Sequence, residues 1–154
     1  MHLVKIFAIA TLTIGLAAAA AAQTPAAPAT PGQKMAATVI RQWPAGSTNP
    51  AGTGQWAYEE GVLLDGMAAE WHATADGADF AYIKASVDKY VTADGAITGF
   101  KASGHTLDDI EMGRATLLLY RVTQQDKYAK AAKFLEDQLA VQPKCGPKAV
   151  SPAK

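Results

Sequence analysis

Asp108 and Asp109 stand side by side, two and three residues after Thr106, in the run Gly104 to Tyr120. The run begins as a polar loop and passes into an almost wholly apolar helix. Loops carry chemistry more often than buried helices do, and acids at a helix start face its positive backbone end. A site kept by this sequence is expected here. The plain alternative is that both are ordinary first-turn acids, worth about 0.3–1 kcal/mol each against the helix dipole. Asp109, three residues after Thr106, suits the supporting position of a helix cap.

Other chemistry-bearing side chains are scattered. Tyr58 and Trp56 can be core aromatics or platforms for a sugar, and Glu59 and Glu60 read as solvated or cap-proximal. His72 falls at a helix end and His105 in a loop, without a companion at metal-ligand spacing, so no metal site is expected. Cys145 is the single cysteine, which excludes an internal disulfide or a cysteine-rich zinc site. There is no Gly-x-Ser-x-Gly elbow, phosphate loop or zinc-helix motif, so covalent serine catalysis and nucleotide binding lack support. No cofactor is expected.

The elements that must carry these residues are helical. Lys34 to Trp43 predicts a short first helix, and Pro44 to Gly54 a long loop. Gln55 to Ala73 carries Trp56, Tyr58, Val62, Leu63, Leu64, Met67 and Trp71 at helical spacing. These cover more than one face, which predicts burial on most sides. Ala78 to Thr92 is amphipathic, with Phe80, Ile83, Val87, Tyr90 and Val91 opposite Lys84, Asp88 and Lys89. Asp94-Gly95 marks a turn, and Ala96 to Phe100 reads as briefly extended.

The pattern then recurs. Thr106 caps a helix with Ile110, Gly113, Leu117 and Tyr120 on one face and Leu118, Leu119 and Val122 on others. A second amphipathic helix starts at Asp126, with Tyr128, Ala131, Ala132, Leu135 and Leu139 on its apolar side, and stops at Pro143. Trp71-x-x-Thr74 followed by Asp79 and Phe80 matches Tyr120-x-x-Thr123 followed by Asp126 and Tyr128, at an offset of 47 to 49 residues. A period of one helix hairpin signals a helical repeat array, here with inner and outer layers. Gly61, Gly66 and Gly113 lie inside the inner helices. Glycine there costs about 1 kcal/mol against alanine, which points to close backbone contact.

Composition bounds the rest. Lys5, the apolar Ile6 to Leu16 and the small-residue run Ala17 to Ala22 form a secretory signal with a cut before Gln23. Removing residues 1–22 leaves 132 of the 154 residues, one domain at most. Residues 23–33 read as a disordered Pro/Ala linker and 34–143 as the folded part. The expected location is exported, in a bacterial periplasm or secreted. Formal charge is zero with no basic block, so no nucleic acid or membrane partner is expected after signal cleavage, and oligomeric state stays open.

From Trp56 to Pro143 the chain resembles the N-terminal part of family 105 glycoside hydrolases, the unsaturated rhamnogalacturonyl hydrolases related to family 88. The resemblance rests on Trp56-Ala-Tyr-Glu-Glu-Gly61, Leu64-Asp-Gly-Met67, Tyr82-Ile83 with Val91, and Asp94-Gly95 with Ile97. It continues through Leu107-Asp-Asp-Ile110, Gly113, Leu117 to Tyr120 with Thr123, and Gln138-Leu139 with Gln142-Pro143. It implies an all-α fold, an incomplete (α/α)6 barrel of two to two and a half hairpins. A ring of six at this period needs roughly 300 residues. It also implies removal of a terminal 4,5-unsaturated galacturonic acid from rhamnogalacturonan (pectin) oligosaccharides. An aspartic acid protonates the C4=C5 vinyl ether, water adds at C5, and the hemiketal opens with loss of the glycosidic bond. Such an acid must be kept protonated, which a neighbouring carboxylate enforces.

By position, the resemblance makes Asp108 the auxiliary aspartate that binds sugar hydroxyls and assists the acid, and Tyr58 a substrate contact. The main acid of the family lies in a Trp-Leu-Asp-Gly-like motif, and no such motif follows Pro143. Residues 144–154 do not match the family, where a Glu-Gly-Gly-Phe-like run is expected. Coded as CCG AAG GCG GTT TCN, Pro147 to Ser151 would spell that run when read one nucleotide earlier. The tail is accordingly read as a frameshift product, and the chain as a truncated, inactive N-terminal fragment. Two alternatives stay open: a non-catalytic helical-repeat binding module, and a family-88-like unsaturated glucuronyl hydrolase fragment.

Overall fold

The computed structural model describes residues 29–44, 46, 56–104 and 106–142. The signal segment, residues 23–28, His105 and the 143–154 tail lie outside the described residues, as does most of the 44–54 loop. Five helices follow in order: α1 (Pro31–Gln42), α2 (Tyr58–Thr74), α3 (Gly77–Asp88), α4 (Gly113–Thr123) and α5 (Asp126–Ala140). Two 3-10 turns, Ala102–Gly104 and Asp108–Ile110, lie between α3 and α4. None of the described helices is long and apolar enough to cross a membrane.

The first helix starts earlier than expected. Thr30 accepts a hydrogen bond from the Gln33 amide at 3.2 Å, and the Gln33 side chain accepts one from the Thr30 amide at 2.8 Å. This reciprocal cap, with Pro31 in the first turn, draws residues 31–33 out of the expected linker and into α1.

The repeat is present in the backbone itself. Ala75 and Gln124 both end their helices in the left-handed conformation, at φ 57° and 55°. Their amides donate to the carbonyls of Trp71 and Tyr120 at 2.7 and 2.8 Å. Just before them, Thr74 and Thr123 donate their hydroxyls to the carbonyls four residues back, at 2.9 and 2.7 Å. The same hydroxyls accept from the amides of Asp76 and Gln125 at 3.2 and 3.4 Å. Every one of these pairs is 49 apart, as Thr74 is from Thr123. One register therefore replaces the expected spread of offsets. It sets Asp79 level with Tyr128 and Ser86 level with Leu135, all four buried.

Inner helices α2 and α4 lie side by side. The α3 helix packs against both, α5 packs along α4, and α1 lies across α2 and α3. Leu64, Ile83, Val87, Met112, Leu119, Tyr128 and Ala131 form the fully buried centre. The amphipathic stripe of α3 is as expected, with Ile83 and Val87 inside and Lys89 outside. The α2 helix is not buried on most sides: its buried positions are Glu60, Gly61, Leu64 and Met67, while Tyr58 and Val62 are exposed. On α4, Leu117 and Val122 are likewise exposed. Gly61 does bring backbones together, because a Cβ there would lie 2.9 Å from the Met112 amide nitrogen. Gly66 does not: nothing lies within 4 Å of a Cβ built on it. The expected extension from Ala96 to Phe100 reduces to one antiparallel bridge, Val91 to Ile97.

An open groove of about 520 Å³ runs between α4 and α5, with Ile110, Leu117, Tyr120 and Leu139 along it. Leu117 and Leu139 are exposed on this flank. Apolar flanks of a repeat array are normally covered by the next unit. The double variant Leu117→Lys, Leu139→Lys is therefore expected to reduce concentration-dependent association in sedimentation velocity. Its unfolding free energy should stay within about 0.5 kcal/mol of the parent, as for exposed positions generally.

Candidate active site

The expected helix start at Thr106 is a tighter structure. Thr106 accepts a hydrogen bond from the Asp108 amide at 3.3 Å, but what it caps is a 3-10 turn, and α4 begins only at Gly113. At the repeat offset of 49, residues 107–112 correspond to 58–63, the regular first turns of α2. In the second repeat the pairing tightens: the Ile110 amide donates to the Leu107 carbonyl at 3.0 Å, and the Glu111 amide to Asp108 at 3.2 Å. Gly61 of α2 packs directly on Glu111 and Met112, which seats the turn against the start of α2.

This arrangement brings the two sequence-predicted residues to one end of the bundle. Asp108 is exposed on the turn, and Tyr58, the first residue of α2, is half-exposed on the helix that the turn packs against. The groove between α4 and α5 is deeper but involves neither residue, and its apolar lining offers little to a charged sugar. The exposed acid and aromatic are the better placed chemistry.

Asp109 contributes through its backbone. Its carbonyl accepts the indole N–H of Trp56, in place of the cap support expected of its carboxylate. Burial, and then the charge of Asp108, push the Asp109 carboxyl above its ordinary range, with Lys101 opposing. An acid raised on folding binds more protons in the native state. Its penalty is absent below the unfolded value near 3.8 and grows as pH rises through the folded value. Asp109→Asn is thus expected to raise the melting temperature modestly at pH 7, the gain vanishing on acidification below 3.8; calorimetry across pH checks this.

Glu60 differs most from expectation. It is 2 % exposed and accepts the Tyr90 hydroxyl at 2.6 Å. Burial, and then Glu60, raise the Tyr90 hydroxyl above its ordinary range. Nothing in local composition separates Glu60 from its exposed neighbour Glu59. Only the tyrosine 30 residues later, brought alongside by the α2–α3 hairpin, distinguishes them. His72 is exposed and stacks on Trp71 at 4.8 Å between ring centres.

Repeated hairpins with inner helices side by side, and a carboxylate turn at the end of the inner pair, define an arc of a helical barrel of the sugar-hydrolase type. The family model for Glycosyl Hydrolase Family 88 matches residues 33–147. The chain belongs to that family. Its structure is also similar to that of a C. acetobutylicum glycoside hydrolase from family 105, with a TM-score of 0.62 and 29% sequence identity. The similarity covers 72% of this chain and 29% of the solved enzyme, so the chain spans less than a third of that enzyme's length. The all-α fold, an incomplete barrel, and the relationship to families 88 and 105 both stand on these observations.

Proposed function

We propose that the turn at Asp108, together with Tyr58, binds the terminal unsaturated uronic acid of rhamnogalacturonan-type oligosaccharides, the galacturonyl-rhamnose unit. The observation that carries the reading is the placement of an exposed carboxylate on a tight turn beside an exposed tyrosine, in a chain of a glycosidase family. A carboxylate accepts hydrogen bonds from sugar hydroxyls, and a tyrosine offers both an apolar face and a hydroxyl. Asp108 assists; the proton that hydrates the C4=C5 bond is the task of the family's Trp-Leu-Asp-Gly aspartate, a run this sequence does not contain. On this reading the 154 residues bind the uronide without turning it over. The signal-like residues 1–22 support export, which places the protein where pectin fragments occur.

Calorimetric titration with an unsaturated galacturonyl-rhamnose disaccharide tests this. Binding is expected without loss of the double-bond ultraviolet absorbance, and Asp108→Asn is expected to weaken it about tenfold, the effect of one charge-assisted hydrogen bond. Absence of binding, or an unchanged affinity in Asp108→Asn, would refute the reading. The family 88 match favours a second substrate, an unsaturated glucuronyl sugar. A parallel titration with that disaccharide separates the two by the ratio of affinities.

A further inference from the structure

We propose that Trp56 is a positioning residue for Asp108: its indole N–H, more than its bulk, holds the turn 108–110 in 3-10 form. The inference rests on the reading of Asp108 as a sugar-binding carboxylate. A 3-10 turn advances 120° per residue and an α-helix 100°. Relaxation of this three-residue turn to α-helix would therefore swing its side chains by up to about 60°. Something must favour the tighter form, and the first repeat shows that the default at this place is α: residues 58–63 run as ordinary helix. Within the turn, the carbonyls of Leu107 and Asp108 take 3-10 partners, and the next carbonyl, Asp109, takes the Trp56 indole.

The donor is itself fixed. Trp56 is 4 % exposed and meets the Tyr90 ring edge-to-face, with centres 6.0 Å apart and planes at 89°. The Tyr90 hydroxyl is in turn held by Glu60. A buried indole N–H has no acceptor capacity of its own and must find a carbonyl or lose a hydrogen bond. The start of α2 and the end of the α3 hairpin thus set the orientation of a carboxylate that neither touches. Asp108 is the residue immediately before the anchored carbonyl, so fixing that peptide fixes the direction of its Cα–Cβ bond.

The test uses the full chain with Trp56→Phe, which keeps a ring and removes the donor, and isotope-edited NMR. In the parent, the Trp56 indole proton should exchange slowly with solvent. In Trp56→Phe, circular dichroism should be unchanged, the amide and carbonyl resonances of 108–111 should move, and disaccharide affinity should fall about tenfold. The double variant Trp56→Phe, Asp108→Asn should bind no more weakly than either single variant. Fast exchange of the indole proton, still resonances at 108–111, or multiplying losses in the double variant would overturn the proposal. Should the parent bind no disaccharide, the reading of Asp108 fails. The positioning is then decided by indole exchange and the 108–111 resonances alone. Should Trp56→Phe fail to fold, indole exchange in the parent still decides.

Discussion

Asp88→Ala is expected to destabilise the protein by about 2–3 kcal/mol in urea unfolding at neutral pH. Asp88 ends α3 and accepts three hydrogen bonds: from Lys84 at 2.5 Å, Lys127 at 2.7 Å and the Tyr128 hydroxyl at 2.6 Å. Two of the three donors come from α5, so this carboxylate ties the first hairpin to the second. Lys84 and Lys127 are partly exposed and can turn to water. Tyr128 is fully buried and cannot, and an orphaned buried hydroxyl accounts for most of the loss. Tyr128→Phe added to Asp88→Ala should therefore recover part of it, since no hydroxyl is then left unpaired.

The pH dependence has a definite sign. Burial pushes the Asp88 carboxyl up, but the hydrogen bonds from Lys127, Lys84 and Tyr128 outweigh it and hold the group below its ordinary value of 3.8. A carboxyl lowered on folding contributes stability that is present above the unfolded value and is lost as pH falls through the folded one. The gap between parent and Asp88→Ala should stay constant above about pH 5 and narrow below 3.8.

The second large effect is expected from Gly61→Val, a loss of about 3 kcal/mol, at the upper end for overpacking. A Cβ at Gly61 would lie 2.8 Å from Glu111 Cγ, 2.9 Å from the Met112 nitrogen and 3.0 Å from the Glu111 carbonyl carbon. Two of these neighbours are backbone, and Met112 is fully buried, so neither side can yield cheaply. The displaced segment is the one that follows the Asp108 turn, so disaccharide binding should fall together with stability. Gly66→Ala is the control: with open space at its Cβ it should stabilise α2 by about 0.5–1 kcal/mol. Thermal and urea melts of the two variants should move in opposite directions.

These residues also show what the sequence made legible. Helical period, hairpin repeat and layer order could be read because apolar spacing and the threonine at each hinge are local signals. The unwinding at 108–110 could not be read from local signals, because α2 keeps an ordinary helix at the equivalent place. The cause lies in a tryptophan 53 residues earlier and a glycine on the adjoining helix. Gly61 and Gly66 look alike in sequence and differ only in what faces them. Glu60 is buried, unlike Glu59, because the chain folds back to present Tyr90. The exposed apolar residues of α2 and α4 have the same origin: their spacing anticipates neighbours that the described residues do not supply. Tyr58 and Asp108 drew attention through a family resemblance, and their common position at one end of the bundle is tertiary information.

The account turns on the Asp108 turn and Tyr58 forming one sugar-facing surface. The most direct measurement is a chemical-shift map of the isotope-labelled 154-residue chain titrated with unsaturated galacturonyl-rhamnose. Saturable shifts concentrated at Tyr58 and at 107–111, with the sugar's double bond left intact, are the predicted result. Shifts confined to the α4–α5 groove, or no saturable shifts at all, would contradict it.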